Sequence, residues 1–91
     1  MEIRFAPSSQ QFLNNQPHDI VNKLLDDVLW LRDHPYLAPD DPRKKPFFAP
    51  PVYISEFCDD AHWILYYSDK TSLIVANIGR ISEPRHLHRM S

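Results

Sequence analysis

The residues best suited to chemistry gather in the last third of the chain. Arg85-His86-Leu87-His88-Arg89 sets two imidazoles two residues apart between arginines, and Arg80 stands just upstream. Glu83 is the one acid among them. An unperturbed imidazole titrates near working pH, so histidine suits proton transfer. His62 lies well before this tail and can make a pair with His86 or His88. Two histidines acting as base and acid suffice to cleave RNA. The plainer reading is a polar, frayed tail with His62 an ordinary residue at the end of a turn. His86 and His88 at that spacing can also grip a metal on a strand, but a third ligand is lacking nearby, so no metal site is expected.

A second constellation is Arg43-Lys44-Lys45, followed by Phe47-Phe48. Cations beside aromatics can hold a phosphate backbone and stack bases. The alternative is a solvated loop whose Phe pair docks on a sheet. Trp30 falls near the polar side of a helix, as a cover for a neighbouring helix or as an exposed anchor for a partner.

These groups need a scaffold, and the stretch from Val52 to Ile81 supplies it. Val52–Cys58 alternates with period two, His62–Tyr67 is aromatic and β-branched, and Leu73–Ile78 is apolar on both faces. Asp59-Asp60-Ala61 and Ser68-Asp69-Lys70-Thr71 supply the turns. The last run reads as a covered central strand. Gly79, the only glycine, marks a backbone that needs positive φ or a close approach.

Before this meander, Glu2–Phe5 alternates as a short strand. Ser8 or Ser9 caps a short helix through Asn14, with Phe12 and Leu13 inward. Pro17 opens a second helix, whose apolar residues Ile20, Val21, Leu24, Leu25, Val28 and Leu31 recur at three and four. Asp19, Asn22, Lys23, Asp26 and Asp27 form its wet face, and His34 before Pro35 ends it. Leu37–Pro50 reads as a loop stiffened by proline. The expected fold is α+β: a helix hairpin packed on a four-stranded antiparallel sheet in the order β-α-α-β-β-β.

A chain of 91 residues is one domain, here spanning 1–91, and buries roughly 60–65% of its unfolded surface. A net charge of −2 excludes a globally basic nucleic-acid binder. The single Cys58 excludes an internal disulfide and fits a reducing cytoplasm. No run is long and apolar enough for a membrane span, and no signal peptide is visible, so a cytoplasmic location is expected.

The element order, with "MEIRFAPSSQQFL", "HWILYY" and a meander ending in "LIVANIGR", resembles the RelE/ParE superfamily of bacterial toxins. The resemblance implies a type II toxin–antitoxin system in which a small cognate antitoxin wraps the toxin. It implies one of two activities. One is metal-free, ribosome-dependent endoribonuclease action on mRNA, without a cofactor; the other is non-catalytic poisoning of DNA gyrase, or an inactive relative. In the nuclease branch a base deprotonates the ribose 2′-OH, cations stabilise the phosphorane and an acid protonates the leaving oxygen. Carried over, Arg80 after Gly79 matches the basic position following the last strand, His86 or His88 fills the tail acid, and Tyr66 matches a structural tyrosine. Trp63 falls where the third-strand arginine is expected. Arg43, Lys44, Lys45 and Arg85 are the expected RNA contacts.

Overall fold

The computed structural model describes residues 1–34, 42–48 and 54–84. The elements are β1 (Glu2–Phe5), α1 (Pro7–Asn14), α2 (His18–Asp33), β2 (Lys44–Phe48), β3 (Ile54–Cys58), β4 (His62–Ser68) and β5 (Ser72–Arg80). They form one five-stranded sheet in the order β1-β5-β4-β3-β2, with helices packed on one face. Of the expected first meander strand, Val52 and Tyr53 lie outside the described residues, as do Pro35, Pro39, Pro50 and Pro51 of the proline-rich connection.

The α+β arrangement of two helices over one sheet stands, but strand number and direction differ from the sequence expectation. β2 occupies part of the stretch expected to be a loop, and pairs antiparallel with β3. Its Pro46 hid it, because a proline withdraws a ladder donor and fits a sheet only at an edge or a bulge. β2 has both: it is the outer strand, and its register shifts between Pro46 and Phe48. The extra strand also changes the parity of the chain. β2 to β5 alternate in direction, so β1, which runs opposite to β2, lies parallel to β5. The sheet is therefore mixed, with one parallel pair.

Two apolar layers flank β4 and β5. On the helix side, Leu13, Leu24, Val28 and Leu31 meet Phe57, Ile64, Tyr66, Leu73, Val75 and Ile78. Each such buried side chain contributes about 1.5–3 kcal/mol relative to exposure. The opposite side holds Ile54, Trp63, Leu65 and Ala76, with Phe47, Cys58 and Tyr67 against them. β5 is apolar on both faces because it is an inner strand between β1 and β4. It carries one irregularity: Leu65 pairs with Asn77 and Tyr66 with Val75, leaving Ala76 as the extra residue.

That irregularity anchors α1. The helix starts at Pro7 behind Ala6, with no side-chain cap. Ser8 and Ser9 do not cap it; their hydroxyls donate to the carbonyls of Ala76 (3.0 Å) and Val75 (2.7 Å). The sole glycine is explained by close approach. A Cβ on Gly79 would lie 2.1 Å from Trp63 Cζ2, because the indole lies across the backbone of its cross-strand neighbour.

Candidate functional site

One end of the sheet collects the chemistry. β5 ends at Arg80, β4 begins at His62, β3 ends at Cys58 and β2 begins at Lys44, so four strand termini share an edge. The turn between β3 and β4 is closed by Asp59, whose Oδ1 accepts from the N–H groups of Ala61 (2.7 Å) and His62 (2.6 Å). An aspartate satisfying its own turn in this way fixes where β4 starts, and hence where His62 points.

His62 and Arg80 are directly paired across β4 and β5. Both line a cleft of about 360 Å³ together with Gln16, Pro17 and Ile20 from the start of α2 and Ala61, Ile81 and Ser82 below. The rim is held by the Ile81 N–H donating to the Ala61 carbonyl at 2.9 Å. His62 is only 6% exposed, its ring is edge-on to Phe12 at 6.2 Å, and its Nδ1 is buried without a hydrogen-bond partner. Burial first, then the Lys23 ammonium, lowers its pKa below the ordinary imidazole value, against the opposing pull of Asp59. Burial favours the neutral imidazole, and because Nδ1 is closed to solvent, the ring nitrogen left to exchange a proton with a ligand in the cleft is Nε2. Arg80 is exposed, with Glu83 4.0 Å from its Nε.

α2 presents one stripe to this sheet end: Ile20, Lys23, Asp27, Trp30 and His34, spaced at three and four. Lys23 forms an ion pair with Asp59. Burial pulls the Lys23 pKa down, but the hydrogen bond and charge of Asp59 outweigh it and the net shift is upward. Burial works against the charged form of Asp59 too, yet Lys23 and the two turn N–H groups bring its pKa to about 2. Asp27 goes the other way: burial, then its hydrogen bond with Asp59, pushes its pKa up to about 6. Its Oδ2 receives no bond, as fits a carboxyl that carries the shared proton. Two carboxylates side by side cannot both ionise cheaply.

The Arg43-Lys44-Lys45 trio is divided. Arg43 lies over Trp30 (4.6 Å) and Phe57 (5.4 Å). Lys44 is buried, lies 4.7 Å from the Trp30 ring and donates to the carbonyl of His34, where a cation also meets the negative end of α2. Lys45 points to the other face, 3.3 Å from the buried Glu56, which also accepts from Cys58 Sγ at 2.9 Å. None of the three lines the cleft of His62 and Arg80. Trp30 is half-buried, stacked on His34 at 4.5 Å and tilted against Phe57 at 5.8 Å; it covers β3 and β2, not the first helix. Arg85, His86 and His88 lie outside the described residues. Trp63 is on the face opposite the helices, its Nε1 donating to the Glu83 carbonyl at 3.2 Å.

Hydrophobic periodicity places Lys23 and Asp27 on the solvated face, because it grades a polar side chain only by its side of the helix. The signal that finds them is the second stripe, beside Leu24, Val28 and Leu31, that runs through Trp30. Among the described residues no three His, Cys, Asp or Glu side chains group to hold a metal ion, and no helix is long and apolar enough to cross a membrane.

No protein-family model matches the chain, and comparison with curated proteins gives no match. Solved structures do match. The toxin–antitoxin complex RelBE2 from Mycobacterium tuberculosis superposes with a TM-score of 0.69 at 16% identity, covering 87% of this chain and 95% of that one. A copper-bound mutant toxin from Helicobacter pylori gives 0.60 at 19% identity, covering 90% and 96%. The solution structure of a conserved hypothetical protein from Helicobacter pylori gives 0.56 at 19%, covering 91% and 97%. The chain has the fold of RelE/ParE-type toxins.

Proposed function

We propose that the protein is the toxin of a type II toxin–antitoxin system, a cytoplasmic, ribosome-dependent mRNA endoribonuclease that inhibits growth and is neutralised by a cognate antitoxin. The observation that carries this reading is the cross-strand pair of His62 and Arg80 over one cleft, on a fold shared with toxins. In the proposed reaction His62, neutral at working pH, takes the proton of the ribose 2′-OH. The 2′-oxygen then forms a bond to the adjacent phosphorus while the bond to the 5′-oxygen breaks, giving a 2′,3′-cyclic phosphate. Arg80 faces the charge that builds on the phosphorane, where a fixed cation acts most strongly. His86 or His88 donates the proton that the leaving 5′-oxygen requires. RNA contacts along the tail fall to Arg85. Arg43 and Lys44 act through the wall they build with Trp30, and Lys45 is an exposed cation on the other face.

The test is inducible expression in bacteria with mapping of RNA 5′ ends. Wild-type protein should deplete messenger RNA. His62→Ala and Arg80→Ala should each abolish the cuts while the circular-dichroism spectrum is retained; full cutting by both variants would refute the assignment. One observation favours a second reading. Among the described residues this cleft holds a single cation, Arg80, which is little to set against a phosphorane. A non-catalytic protein acting on DNA gyrase is the alternative, and DNA-damage signalling without loss of messenger RNA would identify it.

A further inference from the structure

β1 covers β5 only from Ser72 to Val75, so the last half of β5 has no strand on that side among the described residues. α1, pinned there by Ser8 and Ser9, runs beside this edge. Between them lies a second cleft of about 270 Å³, room for a single ring system and less than a drug-sized ligand requires. Its walls include Gln11, Asn15 and Gln16 from the helix side, the rings of Phe12 and Trp63, and Glu83.

We propose that this cleft is a nucleobase pocket that reads the base adjoining the phosphate at Arg80. The inference rests on the nuclease reading for its substrate and on separate residues for its chemistry. Side-chain amides carry donors and acceptors together and no charge. That is the complement of a base edge, as in the pairing of Asn and Gln with adenine, whereas a phosphate calls for cations. The amides are available: Gln11 and Gln16 make no side-chain hydrogen bond among the described residues, and Asn15 uses only its nitrogen, toward the Gln11 carbonyl at 3.0 Å. Half-buried Phe12 beside the amides provides a surface for stacking, while the Trp63 indole, 2% exposed, forms part of the wall. Trp63 is held in place by Gly79 beneath it and the Glu83 carbonyl at its Nε1. The position is also right, since Gln16 lines both clefts and Phe12 touches His62 edge-on. A phosphate beside Arg80 therefore delivers a neighbouring base to the amides.

The experiment has two arms on the full chain. In the first, Trp30→Phe leaves Trp63 as the sole tryptophan, and its fluorescence is followed while AMP, GMP, CMP and UMP are titrated separately. One or two bases should bind roughly tenfold tighter than the others, with that preference lost in Gln11→Ala and Gln16→Ala. Equal binding of all four, or an equal response to ribose 5-phosphate, overturns the proposal. In the second arm, RNA cut sites are mapped. The wild type should favour one base beside the cut, and Gln11→Leu with Gln16→Leu should relax that preference by roughly tenfold. Cutting with unchanged preference overturns the pocket and leaves the nuclease reading intact. Base-selective binding by a protein that cuts no RNA supports the pocket and removes the nuclease reading.

Discussion

The two hairpin ends of the sheet are closed by the same device. Asp59 and Asp69 each turn Oδ1 onto the N–H groups two and three residues later, at 2.7 and 2.6 Å in one case and 2.8 and 2.7 Å in the other. At Asp69 no helix residue joins in: the carboxylate is exposed, the Thr71 hydroxyl adds a donor at 3.3 Å, and the lowered pKa follows chiefly from the Thr71 and Ser72 N–H groups. At Asp59 the helix α2 intervenes, bringing Lys23 onto the carboxylate and Asp27 beside it. Identical local sequence logic thus yields a bare turn at one end and a charge network under the candidate site at the other. The lesson is that a turn aspartate reports where a strand begins, while the element packed across it decides what that carboxylate is worth.

The sharpest break in the comparison lies next to the network, where Trp63 crosses Gly79. Gly79→Ala should destabilise the fold by about 2–3 kcal/mol, because the new Cβ meets the fixed indole and not a flexible chain end. The urea midpoint should fall with an unchanged m value. Adding Trp63→Leu should recover part of the loss, and a strictly additive double mutant would refute the contact as the cause. Next in size is Asp59→Ala, expected to cost about 2 kcal/mol, since it strips two turn N–H groups and leaves Lys23 without its partner. The same measurement checks it, with Lys23→Met as the companion that removes the ion pair and keeps the turn.

These effects also mark where the sequence was legible. The meander, both turns and the amphipathic α2 follow from short-range patterns, because period two, period 3.6 and turn aspartates are written locally. Gly79 was legible only as a backbone constraint, positive φ or close approach; the indole of Trp63 decides for close approach, at a position inside β5 and not after it. β2 was not, because Pro46 counts against a strand unless the edge position is known, and the parallel pairing of β1 with β5 depends on that missed strand. The pairing of His62 with Arg80 needed the register of β4 on β5, which composition does not encode. Division of the basic trio needed the aromatic shelf of Trp30 and Phe57, two residues far apart in the chain.

A subtler difference between the two ends appears with pH. The Asp27 pKa lies near 6 in the folded state, above the ordinary 3.8, so its contribution is present below pH 4 and lost as pH rises through 6. The Asp59 pKa lies near 2, so its contribution is present above 3.8 and lost as pH falls. His62, lowered by burial, loses stability as pH falls below its ordinary value and partly masks Asp27 in the same window. Asp27→Asn keeps a donor toward Asp59 and removes the titration, while His62 is common to both proteins. Its stability relative to wild type should therefore grow between pH 5 and 7, by on the order of 1 kcal/mol after solvent screening. Urea midpoints at the two pH values decide it, and a constant difference would show that Asp27 does not hold the shared proton.

The smallest effect is expected at the plain end, and it is the one that tests the comparison itself. Asp69→Ala removes the same side-chain acceptor for two backbone N–H groups as Asp59→Ala does, from a turn with the same geometry. If turn closure were the main contribution of these aspartates, the two variants would lose similar stability. Water replaces the lost acceptor freely at Asp69, because the carboxylate there is fully exposed, and no helix residue is left uncompensated. The urea midpoint of Asp69→Ala should accordingly fall much less than that of Asp59→Ala, and RNA cutting should be unchanged. Equal losses would show that Lys23 and Asp27 add nothing to the turn they surround, and that α2 merely rests on this end of the sheet.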